Sequence, residues 1–167
     1  MEQKCIFCAI IAKQIPSYGI YEDENFMAFL DIRPLTKGHA LVAPKKHHRW
    51  VHDVEDFGRY WEVAKKISSS TLSSLEPKYM QFITAGLEVP HAHIHVIPRY
   101  DEDGHPELPD LSHRLQLTEE EMKEMAEKLK SSIPQERIVA EEKPEPRKEP
   151  KWSDEELDII KRELQRT

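Results

Sequence analysis

The sequence has few cysteines and few glycines, and both shortages exclude classes of protein. Its two cysteines, Cys5 and Cys8, form a Cys-x-x-Cys pair near the start of the 167-residue chain. In a reducing compartment such a pair indicates metal binding or redox use and not a structural disulfide. Only five glycines are present, and none belongs to a Gly-x-x-x-x-Gly-Lys loop. Since an Asp-rich magnesium cluster is also missing, a P-loop mechanism is not expected.

Long apolar runs and excess positive charge are missing as well. No stretch approaches the roughly 20 apolar residues that cross a bilayer, and Met1-Glu-Gln-Lys4 is unlike the start of a signal peptide. The formal charge of −7 argues against a surface that coats nucleic acid. Hydrophobic residues make up 38% of the chain, enough for one domain with a modest core. We therefore expect a cytoplasmic protein that binds neither membranes nor nucleic acid.

Histidine is present in an unusual arrangement. In the stretch His91-Ala-His-Ile-His-Val96, three histidines alternate with apolar residues. Alternate side chains of a strand point to one side, so His91, His93 and His95 share one face and the apolar residues share the other. For a single histidine, a strand position without chemistry would be the preferred interpretation. Three on one face, bounded by prolines and followed by Arg99, favour chemistry on that face.

Periodicity and turn residues place this stretch at the end of an α+β domain. The predicted elements are, in order, a short helix at 5–12, strands at 19–23, 26–31 and 39–43, a long amphipathic helix at 53–75, a strand at 79–84, and a fifth strand in the histidine stretch. Adjacent strands joined by short loops favour a five-stranded antiparallel meander.

The chain becomes polar after Arg99, which suggests a domain boundary. We assign 1–104 to the main domain and 105–140 to a C-terminal extension. A capping box at Thr118–Glu121 predicts one helix in the extension, ending near Pro134.

A linker and a further helix are predicted at the end of the chain. Residues 141–152 are charged and contain three prolines, which is typical of a linker. A second capping box at 153–156 predicts a short helix over 153–167. A helix this short is marginal alone, so we expect it to dock on the domain or on a partner subunit.

The two cysteines can combine with distant histidines in a metal site. A Cys₂His₂ zinc site would join the N-terminal helix to the sheet. Its candidate ligands are Cys5, Cys8, His91 and one of His47 and His48. A plain thiol pair and a redox pair are the alternatives, although the surrounding elements do not suggest a thioredoxin-like βαβ unit.

If His91 binds a metal, the other two histidines of the stretch are free for catalysis. A neutral imidazole is a competent nucleophile toward phosphorus and a general acid or base near pH 7, which suits His93. His95 would then contact phosphate oxygens where negative charge builds up.

Taken together, the motifs resemble those of the histidine triad (HIT) superfamily. The segment His91-Ala-His-Ile-His-Val-Ile97 matches its signature of histidines alternating with apolar residues. Three earlier stretches occur in the family's order, namely Cys5-Ile-Phe-Cys8-x-Ile-Ile, Ala28-Phe-Leu-Asp-Ile-x-Pro34 and Gly38-His-x-Leu-Val-x-Pro-Lys-Lys-His47. The match covers about residues 4–103, so the extension and the tail lie outside it.

The resemblance implies a fold, an assembly and a mechanism. It implies a homodimer whose two sheets join into one ten-stranded sheet, with a nucleoside monophosphate bound to each protomer. The middle histidine, His93, would attack the α-phosphorus, and water would resolve the nucleotidyl-histidine. His95 would contact the phosphate and assist the leaving group, and His39 would complete the catalytic set by supporting the triad.

The resemblance also implies ligands for the nucleotide and the metal. Asp31 would bind the ribose hydroxyls, and the base pocket would be lined by Phe29, Leu30 and Ile32. Zinc-bearing members of the family suggest Cys5, Cys8, His47 and His91 as the metal ligands. The family spacing therefore selects His47 over His48, a choice that the residues alone leave open.

The sequence departs from the family just before the triad. Relatives usually carry Asn-x-Gly followed by Ala-Gly-Gln, whose polar side chains reach the phosphate or the leaving group. Here the segment is shorter, and Leu87 stands where the Gln would. We expect Thr84 or backbone N–H groups near Gly86 to take over these contacts.

The favoured function is that of a phosphohydrolase or nucleotidyl transferase acting on an adenosine-type nucleotide, either a phosphoramidate or a dinucleoside polyphosphate. One alternative is a non-catalytic, zinc-stabilised nucleotide-binding or interaction protein, in which Leu87 marks lost activity. Another is a metal hydrolase whose triad holds a catalytic zinc ion.

Overall fold

The computed structural model describes residues 5–86, 88–110, 112–134 and Ser153. The elements are α1 (Ile6–Ile11), β1 (Gly19–Glu22), β2 (Phe26–Leu30), β3 (Ala40–Pro44), a short 3₁₀ helix (Val51–Asp53), α2 (Phe57–Leu75), β4 (Tyr79–Ile83), β5 (Ile94–Arg99) and α3 (Glu119–Ser132). Contacts divide the chain into two units, Met1–Gln135 and Glu136–Thr167. The linker and terminal helix predicted in the second unit lie outside the described residues, apart from Ser153, and stay predictions.

In the described part of the chain, five strands form one antiparallel sheet in the order β1-β2-β3-β5-β4. The α+β class and the antiparallel sheet are confirmed, but the strand order is not that of a simple meander. The connection through α2 is long enough to carry the chain from β3 past one strand position to the edge, where β4 forms. β5 then returns between β3 and β4 and is buried along its whole length. The end of the histidine stretch therefore lies inside the sheet.

The start of β5 differs from the prediction. The strand begins at Ile94, so His91 and His93 precede it in irregular backbone. The reason is a change of partner, because Ala92 donates its N–H to the carbonyl of His48, 2.7 Å away, and not to a strand ladder. This bond holds the segment after β3 against the histidine stretch.

The sheet separates two hydrophobic cores. On one face, Ala28 and Leu30 of β2 pack into a core with α2 and α3. On the other face, Met27 and Phe29 pack into a smaller core with α1. The alternation of β2 therefore follows the period of two expected for a strand that is buried on both sides.

The same alternation divides the histidine stretch. Its apolar members join the core with α2 and α3, and they are Ala92, Ile94 and Val96. The rings of His91 and His93 contact the edge or face of Phe7 in α1, with centroids 5.8 and 5.1 Å away. The predicted packing of the apolar members in the core, away from the histidines, is confirmed.

The helices begin at capping residues. α2 starts at Phe57, later than predicted, because Asp56 caps it by accepting the N–H of Arg59. α3 has the predicted capping box, in which Thr118 and Glu121 each accept the backbone N–H of the other. One face of α3 is buried against α2 and the sheet, and it carries Met122, Ala126 and Leu129. No helix within the described ranges is long and apolar enough to cross a membrane.

Candidate functional site

Three buried histidines from two parts of the chain meet beside α1. His93 and His95 come from the histidine stretch, and their ring centroids are 4.8 Å apart. His39 comes from the turn before β3, and its Nε2 lies 3.0 Å from Nδ1 of His95. That turn needs a glycine, because Gly38 has φ +84° and a Cβ there would lie 2.4 Å from a methyl carbon of Leu75. The structure therefore brings the predicted catalytic histidines together.

The hydrogen-bond partners assign the protons of His39 and His95. The backbone N–H of Leu35 donates to Nδ1 of His39 at 3.1 Å, so the proton of neutral His39 must be on Nε2. His39 then donates to Nδ1 of His95, and the proton of His95 must be on its own Nε2. The backbone carbonyl of Ala85 is also close to His95 and partly opposes the lowering of its pKa. His95 therefore offers an N–H donor, whose direction is set by the two buried rings.

Burial keeps both rings neutral. Burial, together with the nearby His93 and Arg114, lowers the pKa of His95 to about 4. Burial also holds the pKa of His39 well below its ordinary value. Because both groups are neutral at pH 7, the proton assignment above applies under physiological conditions.

His93 is oriented differently. Its Nδ1–H donates to the backbone carbonyl of His91 at 2.6 Å, which leaves the lone pair on Nε2. Burial lowers the pKa of His93, and the Asp31 carboxylate partly opposes this shift. A neutral imidazole with one nitrogen held by the backbone and the other free is suited to attack an electrophile.

The donor atoms of Asp31, His39 and His95 lie close enough together to suggest a metal site. Both nitrogens of His39 already have hydrogen-bond partners, the N–H of Leu35 and the ring of His95. Asp31 approaches His39 only to 3.8 Å. This arrangement is a hydrogen-bonded relay, so it does not favour a catalytic zinc ion held by the triad.

A second group of potential metal ligands includes residues of α1 and residues next to the sheet. The ligand atoms of its four members lie within 4.8 Å of one another, and the members are Cys5, Cys8, His47 and His91. Sγ of Cys5 is 3.3 Å from Nδ1 of His91, and Sγ of Cys8 is 3.2 Å from Nδ1 of His47. Tetrahedral zinc with ordinary Zn–S and Zn–N bonds separates its ligand atoms by about 3.5 Å. His48 is not in the group.

The tautomer of His91 also suits a metal. Its Nε2 lies 2.9 Å from the carbonyl of Pro44, which is a bond that only an Nε2–H can make. Nδ1, the atom next to the cysteines, therefore carries the lone pair. A backbone carbonyl that orients a ligating histidine in this way is common in zinc sites. The donor set and its geometry fit a structural zinc ion.

The predicted nucleotide-binding residues are only partly brought together. Asp31 lies at the end of β2 with its carboxylate near His39 and His93. Ile32 beside it is 70% exposed, and Phe29 is buried against Phe7 with ring centroids 5.4 Å apart. Leu30 packs into the core with α2 and α3, on the other face of the sheet, so the structure does not bring it to this site.

Pockets of different size lie near β1 and near the histidine stretch. The larger, of about 390 Å³, follows β1, and none of the predicted site residues lines it. The smaller, of about 120 Å³, adjoins His93 and is lined by Thr84, Gly86, Arg49 and Trp50, among others. Thr84 and Gly86 were predicted at this site, whereas Arg49 and Trp50 were missed. A basic run from Lys45 to Arg49 is the only signal that the sequence offers for them.

Arg114, in the extension, was also missed. Its guanidinium lies 3.9 Å from the carboxylate of Asp31 and 3.7 Å from that of Glu88. It also donates to the carbonyl of Arg33 at 3.2 Å. The extension thus contributes a charge to the surroundings of the triad, although no motif of the sequence points to it.

Arg99 has a structural role, although its place directly after the triad suggests a functional one. It is buried and pairs with Asp103 at 2.6 Å, and this bond holds the pKa of Asp103 below its usual range. Its other donors reach Gln81 and the carbonyls of His105, Pro106 and Glu107. Arg99 therefore orders the loop that follows β5.

These features have counterparts in known proteins. Residues 12–102 match the HIT domain. The chain belongs to the HIT domain family. The match contains three of the four sequence motifs and begins just after the first, Cys5–Ile11. Leu87, where this chain departs from the family pattern, lies outside the described residues.

Relatives of this HIT protein include proteins with and without a named activity. An uncharacterized HIT-like protein of Borreliella burgdorferi is 47% identical over 109 residues, which are 60% of this chain and 78% of that protein. The adenosine 5'-monophosphoramidase of Schizosaccharomyces pombe is 33% identical over 140 residues, 77% of this chain and 98% of that protein. A solved zinc-bound histidine triad family protein from Mycobacterium smegmatis is 30% identical with a TM-score of 0.66, covering 78% of this chain and 93% of that one.

Proposed function

We propose that this HIT protein hydrolyses or transfers the nucleotidyl group of an adenosine-type nucleotide, a phosphoramidate or a dinucleoside polyphosphate, through a covalent intermediate on His93. The observation that carries the proposal is the opposite orientation of two neighbouring neutral rings. His93 presents a lone pair because its Nδ1–H is bound to a carbonyl, and His95 presents an N–H because its Nδ1 accepts from His39. The name of the fission yeast relative supports a nucleotide substrate.

The chemistry has two displacement steps. Nε2 of His93 forms a bond to the α-phosphorus, and the bond to the leaving group breaks with its electron pair going to the leaving atom, which takes up a proton. Water then attacks phosphorus, the N–P bond breaks, the electron pair returns to Nε2, and the water gives up a proton. The sum is one water added across the scissile bond. The Nε2–H of His95 donates to the phosphate oxygens as charge builds up.

The substrate contacts are proposed from the ends of the strands. Asp31 binds the ribose hydroxyls, and the exposed side chain of Ile32 contacts the base beside Phe29. Thr84 and the backbone at Gly86, which line the pocket next to His93, contact the phosphate or the leaving group. The homodimer with its ten-stranded sheet and the cytoplasmic location stay predictions of the sequence.

We also propose a structural zinc ion held by four residues, Cys5, Cys8, His47 and His91. The ion would supply no step of the reaction. Its role would be to fix α1 to the sheet and to hold His91, whose carbonyl orients His93. The zinc-bound relative of known structure supports this assignment at the level of the family.

The proposal is tested by turnover of adenosine 5'-phosphoramidate and of a dinucleoside polyphosphate by the wild type and by His93→Ala. We expect the variant to lose at least about 1,000-fold in kcat while it still binds AMP, because the covalent route is removed. His113→Ala, which changes an exposed histidine, is the matched control and should keep full activity. Turnover by His93→Ala at the wild-type rate would refute the mechanism. Nucleotide binding without turnover by the wild type would establish the non-catalytic alternative.

A further inference from the structure

The segment between β3 and α2 brings a cation to the triad. Arg49 and Trp50 line the small pocket that also includes His93. They follow His48, whose carbonyl accepts the N–H of Ala92, so their backbone is fixed to the histidine stretch. Nothing in the site as proposed above uses either side chain.

The guanidinium of Arg49 is held in place before any ligand binds. Its Nη1 donates to the carbonyl of Gly86 at 2.9 Å. Its Cζ lies 4.0 Å from the centroid of the Trp50 ring, a cation–π contact that limits the orientation of the guanidinium plane. Pre-orientation of this kind reduces the entropy lost when a ligand binds.

Most of the N–H donors of Arg49 have no acceptor among the described residues. A guanidinium has five N–H donors, and among the described residues its one hydrogen-bond acceptor is Gly86. No carboxylate in that part of the chain forms an ion pair with it, since the nearby Glu88 pairs with Arg33 and Arg114. A planar fork of free donors matches a carboxylate or a phosphate.

The pocket has the size of such a group. Its volume of about 120 Å³ holds several water molecules, which is enough for a carboxylate or a phosphate. Asp31, proposed for the ribose, approaches His39 from the end of β2, and neither Asp31 nor Ile32 lines this pocket. A substrate with its ribose at Asp31 and its α-phosphorus at His93 has one remaining part to place, the leaving group.

We propose that Arg49, positioned by Trp50, binds an anionic group on the leaving side of the scissile bond. The chain would then prefer substrates whose leaving group carries a carboxylate or a phosphate over those with an uncharged leaving group. The inference rests on the proposed function, because it takes its orientation from attack at His93. Arg49 touches the substrate in this account, and Trp50 is a positioning residue.

A matched pair of substrates tests the proposal. Adenosine 5'-phosphoramidates of β-alanine and of β-alanine amide have the same scissile P–N bond and differ in one carboxylate. For Arg49→Gln we expect kcat/KM to fall about 10- to 100-fold for the β-alanine compound, the usual range for a charge-assisted hydrogen bond, and less than about 3-fold for the amide. Arg49→Lys keeps the charge without the fork and should lose less. Lys65→Gln, which removes an exposed charge on α2, should change neither value.

The outcomes separate this inference from the proposed function. An equal loss for both compounds in Arg49→Gln would mean that Arg49 contacts the α-phosphate or only supports Gly86, and would overturn the inference. If the wild type turns over neither compound, the proposed function fails, and the dissociation constants of the same pair decide the inference. A preference for the anionic compound that disappears in Arg49→Gln and partly remains in Arg49→Lys supports the anion subsite, and an unchanged preference refutes it.

Discussion

Two neighbouring imidazoles of the cleft, His93 and His95, differ in what their Nδ1 atoms contact. In His93 the atom donates to a backbone carbonyl, and in His95 it accepts from another ring. One ring therefore offers a lone pair and the other an N–H, although both have the same chemistry in isolation. The difference comes from His39, which is fixed by the backbone N–H of Leu35.

The positioning role of His39 can be measured through kcat. His39→Ala removes the donor to Nδ1 of His95, so the proton of His95 can move to the wrong nitrogen. We expect kcat to fall about 10- to 100-fold with little change in KM, as for other residues that orient a catalytic ring. His39→Gln, which retains an N–H donor, should recover part of the loss. If the two variants are equally inactive while both unfold at the wild-type temperature, the orientation argument is wrong.

The depressed pKa of His95 predicts a pH dependence of stability. The unfolded ring has a pKa near 6.5 and the folded ring one of about 4, so between these values the unfolded state binds a proton that the folded state does not. Stability is therefore fully present above about pH 6.5 and falls as the pH drops toward 4, by at most about 1.4 kcal/mol per pH unit from this group. Urea unfolding of His95→Asn should show a shallower slope than the wild type in this window. Parallel curves would contradict the assignment, and His113→Asn serves as the control.

Residues with fixed spacing could be predicted from the sequence, and residues that meet through the fold could not. Phe29 and Leu30 are adjacent in a strand, so the period of two alone places them on opposite faces, and only one can line a pocket there. Arg49 meets Gly86 across 37 residues and Arg114 meets Arg33 across 81, and no local pattern encodes such distances. These long-range contacts depend on how the loops pack.

The order of the strands in the sheet shows the same limit of prediction from sequence. The strands and α-helices of the described residues were predicted within a few residues, because alternation and capping boxes are local signals. The position of β5 between β3 and β4 was not, since it depends on the crossover through α2. The late start of β5 likewise results from the bond between Ala92 and His48, 44 residues apart.

α3 extends the core with residues from outside the family match. Its first turn depends on the reciprocal bonds of Thr118 and Glu121. Thr118→Ala should reduce the free energy of unfolding by about 1 kcal/mol, because one backbone N–H at the helix start loses its partner. Thr118→Ser keeps the hydroxyl and should restore most of that loss. Urea titrations measure both, and an unchanged midpoint for the alanine variant would show that the cap contributes nothing to folding.

At the scale of the whole molecule, the proposed zinc ion joins the N-terminal helix to the catalytic end of the sheet. α1 has only six residues and would not be stable alone. It packs in the small core around Phe29, and the proposed ion would also hold Cys5 and Cys8 at its start. The carbonyl that orients His93 belongs to His91, one of the proposed ligands, so the metal would help to position the proposed nucleophile.

Removal of the metal should therefore lower the stability of the fold more than the rate of turnover. We expect the purified protein to contain one zinc ion per chain, and Cys8→Ser to lose it. The melting temperature should fall by about 5–10 °C in Cys8→Ser or after chelation, roughly 3 kcal/mol for a chain of this size. Turnover below the melting temperature should persist. Activity that disappears with the chelator and returns with zinc, while the fold is intact, would instead support a metal hydrolase.

The central claim is the covalent bond between His93 and the α-phosphorus. Rapid mixing with adenosine 5'-phosphoramidate, followed by an alkaline quench that preserves phosphohistidine and by peptide mass spectrometry, measures it directly. We expect a transient adenylyl group on the peptide that contains His93, and none in His93→Ala. Turnover by the wild type without that adduct at any mixing time, or with the group on another residue, would contradict it.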